Sequence, residues 1–219
     1  GLPSCIMNLM GVLSNVVLNR LMASYSNAAV AGIGVAKKVD MMTFAVSTGM
    51  SQGVLPLIGY NYSAGNYRRM SAALKTSFLY SFLVATVSTI LLFTCAGPIV
   101  YAFIDDAETV RYGQLFQRII CITGPCISIT MLAITSFQSA GKKLEPTLLS
   151  LLRKGGLDIP FMLLMNALIG VNGIVWATPI SDFLAMTVAI LLFIPFWKKL
   201  KALIKRQEEK EKIEKEYDI

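Results

Sequence analysis

The chain has 219 residues, of which 55% are hydrophobic and 15% charged, and its mean hydropathy is +0.62. That composition excludes an ordinary water-soluble domain, where about a quarter of residues carry charge. The net charge of +7 is shared between an apolar body and a mixed-charge tail, which points to basic loops against anionic headgroups and away from a nucleic-acid partner.

At ~20 apolar residues per span, this length accommodates about six membrane helices. The first words of the sequence, GLPSCIMNLM, are already apolar, lack an initiator Met and resemble no cleavable signal peptide. The expectation is therefore a piece of a longer polypeptide. The first span is expected at about 3–23 and the second at about 30–58. A third, at about 72–96, ends at Gly97-Pro98, and a fourth, at about 114–140, is interrupted by Gly124-Pro125. The fifth, at about 146–169, contains Pro160, and the sixth, at about 171–197, contains Pro179 and Pro195. Prolines inside spans are tolerated in membrane bundles because neighbours re-satisfy the freed backbone groups. Residues 198–219 form a charged tail whose helical spacing of opposite charges reads as a solvated helix or a frayed end. The fold class is thus all-α integral membrane, a six-helix bundle.

Loop charge orients the spans. Arg68, Arg69 and Lys75 follow the second span, Lys142, Lys143, Arg153 and Lys154 lie around the start of the fifth, and Lys198 and Lys199 follow the sixth. The intervening loops are poorer in cations, one of them carrying Asp105, Asp106 and Glu108. The positive-inside rule then sets both ends of this chain in the cytoplasm. Phe196-Trp197 fits an interfacial anchor, and Arg68-Arg69 a contact with lipid phosphate.

Cys5, Cys95, Cys121 and Cys126 sit in apolar stretches without zinc-ligand spacing, and the chain has no histidine; they read as small packing residues. No phosphate-binding loop or nucleophile motif is present in the sequence, so neither ATP hydrolysis by that route nor an intramembrane hydrolase is expected, and no cofactor or metal. Transport driven by an ion gradient fits broken spans with polar residues near mid-depth.

Three carboxylates, Asp40, Asp158 and Asp182, each lie about ten residues from a span end, ~15 Å deep at 1.5 Å per residue. A charge there costs about 2.5–3.5 kcal/mol even on a mild scale, so such residues face a polar cavity or find a partner. Lys37 stands three residues from Asp40 and shares its face, whereas Lys38 is turned away by about 100°. From Asp40 a polar stripe continues through Thr43, Ser47 and Ser51, with Gln52 beside it, as expected for a wall of an aqueous cavity. Two plainer roles fit the same residues: lysines that snorkel to the outer interface, and a structural Lys37–Asp40 pair. Asp158, between Gly155-Gly156 and Ile159-Pro160, reads first as the cap of a broken helix, and Asp182, after Thr178-Pro179, by similar logic.

Three segments, SQGVLPLIGYNYSAGNYRRM (51–70), FQSAGKKLEPTLLSLLRKGGLDIP (137–160) and GVNGIVWATPISD (170–182), resemble the multidrug and toxic compound extrusion family, MATE, in its bacterial multidrug-pump branch. The resemblance implies twelve helices in two six-helix lobes around a central cavity, exporting cationic amphipathic compounds in exchange for H+ or Na+ across the plasma membrane. This chain would be the second lobe, partnered by an N-terminal six-helix lobe of the same polypeptide. The resemblance then sets Lys37, Asp40, Thr43, Ser47, Ser51, Gln52 and Asp182 as candidates for the substrate and ion cavity. The sequence departs from the sodium-coupled pattern: the first span carries Asn8, Asn15, Asn19 and Arg20 but no acid, and the fourth has none. Coupling through an aspartate of the other lobe, assisted by Asp40, is the expectation. A lipid-linked oligosaccharide flippase of the same superfamily and a non-transporting membrane scaffold are the alternatives.

Overall fold

The computed structural model describes residues 2–217, without the side chains of 2–8, 154, 210, 211 and 214–217; Cys5, Asn8 and the Lys154 side chain therefore lie outside the described residues. The architecture is helical throughout the described elements. α1 (Leu2–Ala23) turns into α2 (Asn27–Ser63), and α3 (Tyr67–Thr94) runs into the short α4 (Ala96–Tyr101). α5 (Ala107–Cys121) and α6 (Gly124–Ser139) form one bent unit. α7 (Leu144–Leu151), a π-helical segment (Leu152–Gly156) and α8 (Asp158–Ile169) form a second broken unit, and α9 (Val171–Tyr217) carries the chain through the tail.

Local chemistry explains the boundaries. Ser26 opens α2 by accepting from the Ala29 N–H at 3.0 Å, and Asp106 opens α5 by accepting from the Thr109 N–H and hydroxyl. Gly65 and Gly170, at the α2–α3 and α8–α9 turns, both have φ of 73°, which a side chain would disfavour. α5 and α6 meet at 43° across Ile122-Thr123. The carbonyls released at that break find hydroxyls: Thr89 of α3 donates to the Cys121 carbonyl at 3.0 Å and Thr123 to that of Ile120 at 2.9 Å. The bend is therefore tolerated without water.

Among the described residues, Tyr67–Thr94 and Val171–Glu209 are each long and apolar enough to cross a bilayer, and the bent α5–α6 unit makes a third span if it is taken as one. α2 has the length, at 37 residues, but Lys37, Lys38 and Asp40 interrupt its apolar run. Two apolar clusters hold the bundle. One joins Leu18 and Met22 of α1, Ile33 and Ala36 of α2, Phe116 of α5 and Ile174 of α9. The other joins Ile58 of α2, Leu74 of α3, Phe137 of α6, and Ala189 and Phe196 of α9. Along α9 the first cluster ends at Ala177 and the second resumes at Ala189. The polar residues of interest fall in that gap.

The cysteines divide by environment rather than sharing one role. Cys121 is buried and Cys126 half-buried, as small packing residues, whereas Cys95 is exposed at the C-terminus of α3.

Candidate functional site

Five elements converge between the two apolar clusters. Thr178 and Asp182 are four residues apart on α9 and so share a face. Lys37 and Phe44 approach from α2, Arg153 from the π-helical segment, Asp158 from the start of α8 and Ser14 from α1. Of the three carboxylates expected within spans, Asp158 and Asp182 lie here, with partners that the sequence did not suggest.

The first partnership is an ion pair. Arg153 Nε donates to Asp182 Oδ1 at 2.7 Å, and the two side chains are only 4% and 6% exposed. The guanidinium also lies over the Phe44 ring at 4.9 Å, a cation–π contact that strengthens when desolvated. Its Nη1 is buried without a hydrogen-bond partner among the described residues. This corrects the orientation argument, which counted Arg153 among interfacial loop cations. Arg153 is inside the bundle because a carboxylate is there to meet it, and an unpaired charge at that depth would be far more costly.

The second partnership is a chain of polar contacts. Lys37 Nζ donates to Thr178 Oγ1 at 3.3 Å, Thr178 Oγ1 donates to Asp158 Oδ1 at 3.4 Å, and Ser14 Oγ donates to Asp158 Oδ2. Asp158 is 5% exposed. The helix is indeed broken at this residue, but the carboxylate is buried among side chains of other helices and does not serve as a simple cap. Lys37 is expected beside Asp40 or at the outer interface; its described hydrogen bond crosses to α9. Asp40 is half-buried, one turn further along α2.

The π-helical segment makes both arrangements possible. The Leu157 N–H donates to the Leu152 carbonyl at 3.1 Å, a bond to the fifth residue back. Residues five apart in an α-helix are about 140° apart around the axis, which would turn Arg153 and Asp158 to different sides. The wider turn brings them both inward, and such single-turn insertions are frequent at functional sites. Gly155 lets α1 approach: a Cβ there would lie 2.7 Å from Met10 Cβ.

The polar stripe of α2 has a different setting from the one expected. Thr43, Ser47 and Ser51 are buried, and Ser51 Oγ donates to the Ser47 carbonyl at 2.9 Å. Thr43 faces α6, with its methyl 3.6 Å from the position a Cβ on Gly124 would take. Ser51, bonded back to its own helix, needs no water, and all three hydroxyl residues are buried within this lobe. Gln52, by contrast, is exposed on the other side of α2, together with Lys38, Met41, Met42 and Tyr60. Of the expected cavity residues, Lys37 and Asp182 join the described buried network, and Asp40 stands beside it on α2. Ser14, Arg153, Asp158 and Thr178 complete it.

Comparison with known proteins matches residues 3–164 to the MatE family model. The multidrug export protein MepA of Staphylococcus aureus (strain MSSA476) is 28% identical over 192 residues, covering 88% of this chain and 42% of that protein. The MepA of Staphylococcus saprophyticus is 26% identical with the same coverage. Among solved structures, a MATE in the bent conformation superposes with a TM-score of 0.82 at 19% identity, covering 94% of this chain and 45% of that one. The Vibrio cholerae MATE transporter VcmN in the bent form gives 0.80 at 19% identity, covering 92% and 45%. The chain thus spans less than half the length of each.

Proposed function

The chain belongs to the MatE family of helical membrane proteins, and from that membership we propose that it acts as one six-helix lobe of a secondary efflux transporter. The cargo is a cationic, amphipathic small molecule, exchanged for H+ or Na+ across the plasma membrane, with both ends of this chain on the cytoplasmic side. A second, N-terminal lobe of the same polypeptide encloses the cavity. The observation that carries this reading is the family match over residues 3–164. Similarity to multidrug export proteins supports the cargo class.

Lys37 and Asp40 are the residues of this lobe that we assign to the transport cycle. They sit where α2 leaves the first apolar cluster, and Lys37 is tied through Thr178 to Asp158. A change of charge beside Lys37, from a proton or from cargo, would alter how firmly α2 is linked to α8 and α9. The Arg153–Asp182 pair holds the neighbouring turn of α9 in place while that link changes. The polar chain thereby couples occupancy on α2 to the position of two other helices, as a transporter requires of elements with two arrangements.

The test is reconstitution of the full-length polypeptide in liposomes, with extrusion of a fluorescent organic cation followed under imposed proton and sodium gradients. Gradient-dependent flux that falls at least tenfold in Asp40→Asn supports the proposal. Absence of flux under either gradient overturns the transport reading. Unchanged flux in Asp40→Asn and Lys37→Met removes these residues from the cycle.

A further inference from the structure

On another face of the lobe, α3, α6 and α9 enclose an apolar groove of about 590 Å³. Ile190, Ile194 and Phe193 of α9 and Phe78 of α3 form its sides. Phe78 and Phe193 meet edge to face at 5.2 Å, and Phe193 stacks on Trp197 at 5.9 Å. Ile190 and Ile194 remain more than two-fifths exposed. Lys75, Lys198 and Lys201 gather at one end of this groove, and Lys75 Nζ lies 5.9 Å from the centre of the Trp197 ring.

Those three lysines differ from two others nearby. Lys142, near the same end, pairs with Glu145, and Lys205 lies 3.9 Å from Glu209. Among the ion pairs of the described residues, none involves Lys75, Lys198 or Lys201. Three exposed ammonium groups thus gather, without a carboxylate partner among the described residues, at the mouth of a groove whose walls are aliphatic and aromatic. The two halves of the feature ask for opposite things: an anion at the mouth and a hydrocarbon along the walls.

We propose that this groove is a binding site for an anionic phospholipid, with an acyl chain along Phe78, Ile190, Phe193 and Ile194 and the phosphate on Lys75, Lys198 and Lys201. The spacing on α9 suits such a ligand. Residues 190, 194, 197 and 201 follow one helix face, so the surface changes from hydrocarbon to indole to ammonium along a single line. An indole and lysines at one level are what a headgroup region selects. A soluble anion would use only the mouth, and a neutral lipid only the walls. Charge complementarity over the whole length favours a lipid carrying both.

The test uses the full-length polypeptide in mild detergent, read by native mass spectrometry and by the midpoint of thermal unfolding. Phosphatidylglycerol, phosphatidylcholine and glycerol phosphate are titrated separately. Each lysine near a surface anion is worth roughly fivefold in affinity, so phosphatidylglycerol should bind at least tenfold more tightly than phosphatidylcholine. The triple substitution Lys75→Gln, Lys198→Gln and Lys201→Gln should erase that preference, and the triple Lys→Arg variant should keep it. Ile190→Trp with Ile194→Trp fills the groove and should weaken both lipids while leaving the fold intact. Equal affinity for the two lipids overturns the proposal, as does a preference that survives in the Lys→Gln variant. Competition by glycerol phosphate at the same concentration would make the mouth a site for a soluble anion and overturn the lipid. None of these readouts depends on transport.

Discussion

Arg153 and Asp182 meet at 2.7 Å from two different helical units, with less than a tenth of either side chain exposed. Each is the reason the other is tolerated at this depth. Removing one partner of a buried pair leaves an uncompensated charge and costs about 3–5 kcal/mol, whereas replacing both with apolar groups of similar volume is often neutral. Asp182→Ala and Arg153→Met should therefore each lower the thermal midpoint of the detergent-solubilised protein sharply, and Arg153→Met with Asp182→Leu should recover most of the loss. A double variant as unstable as the sum of the two single ones would mean that the residues act independently.

Thr178 is the joint between α2 and α8, since its one hydroxyl accepts from Lys37 and donates to Asp158. Valine has nearly the same shape and neither capacity. Thr178→Val should destabilise by about 1–3 kcal/mol, the range for leaving buried polar groups unsatisfied, and Thr178→Ser should restore most of it. If the joint also serves transport, efflux by Thr178→Val should fall further than its stability alone accounts for, measured below the unfolding transition. A loss in Thr178→Ser with none in Thr178→Val would show that only the methyl matters.

The helical class was legible because apolar runs of membrane length are a strong signal; helix covers most of each expected span, with breaks inside the fourth and fifth. The break at Gly124-Pro125 was legible too; it falls two residues earlier, at Ile122-Thr123. What the sequence hid was direction. Arg153 stands in a run with Lys142, Lys143 and Lys154 that reads as a basic loop, and nothing in LRKGG announces a π-turn that rotates one cation inward. Thr178 stands in the sequence only as the flank of Asp182, since a threonine in a membrane helix carries no signal of its own. Its spacing of four from Asp182 and twenty from Asp158 is a signal only once α8 and α9 are known to form a tight hairpin. The α2 stripe is ambiguous for the opposite reason: a hydroxyl can satisfy itself on its own helix, as Ser51 does, so polarity on one face does not by itself imply water.

Gly155 decides how closely α1 can lie on the π-helical segment. An added Cβ would come within 2.7 Å of Met10 Cβ, 2.8 Å of its sulfur and 2.9 Å of its Cγ. Overfilling of this kind costs about 1–3 kcal/mol. Gly155→Ala should lower the thermal midpoint and loosen the Ser14–Asp158 contact, which joins α1 to the start of α8 just beyond this segment. Met10→Ala removes the sulfur and Cγ contacts but not the Cβ contact, so it should rescue only part of the loss. Full rescue would mean that the backbone of α1 shifts freely, and no loss in Gly155→Ala would mean that α1 is not held here.

Outside the membrane, Asp106 gives the fold a dependence on pH whose sign can be stated. Its carboxylate accepts from the Thr109 hydroxyl at 2.6 Å and from the Thr109 N–H at 2.9 Å, and these bonds, the hydroxyl first, hold it below the usual carboxylate range. A folded-state pKa below the unfolded one stabilises α5 at pH values above the unfolded pKa of about 3.9. The contribution is then lost as pH falls through the lower, folded value. Amide exchange in the first turn of α5, corrected for intrinsic rates, should therefore keep its protection from neutral pH down to about pH 4 and lose it as pH falls further. Asp106→Asn keeps an acceptor without a titrating proton, so its protection should be lower at neutral pH and nearly flat across the same interval. Identical profiles for the two proteins would show that the cap does not carry the pH dependence of this helix.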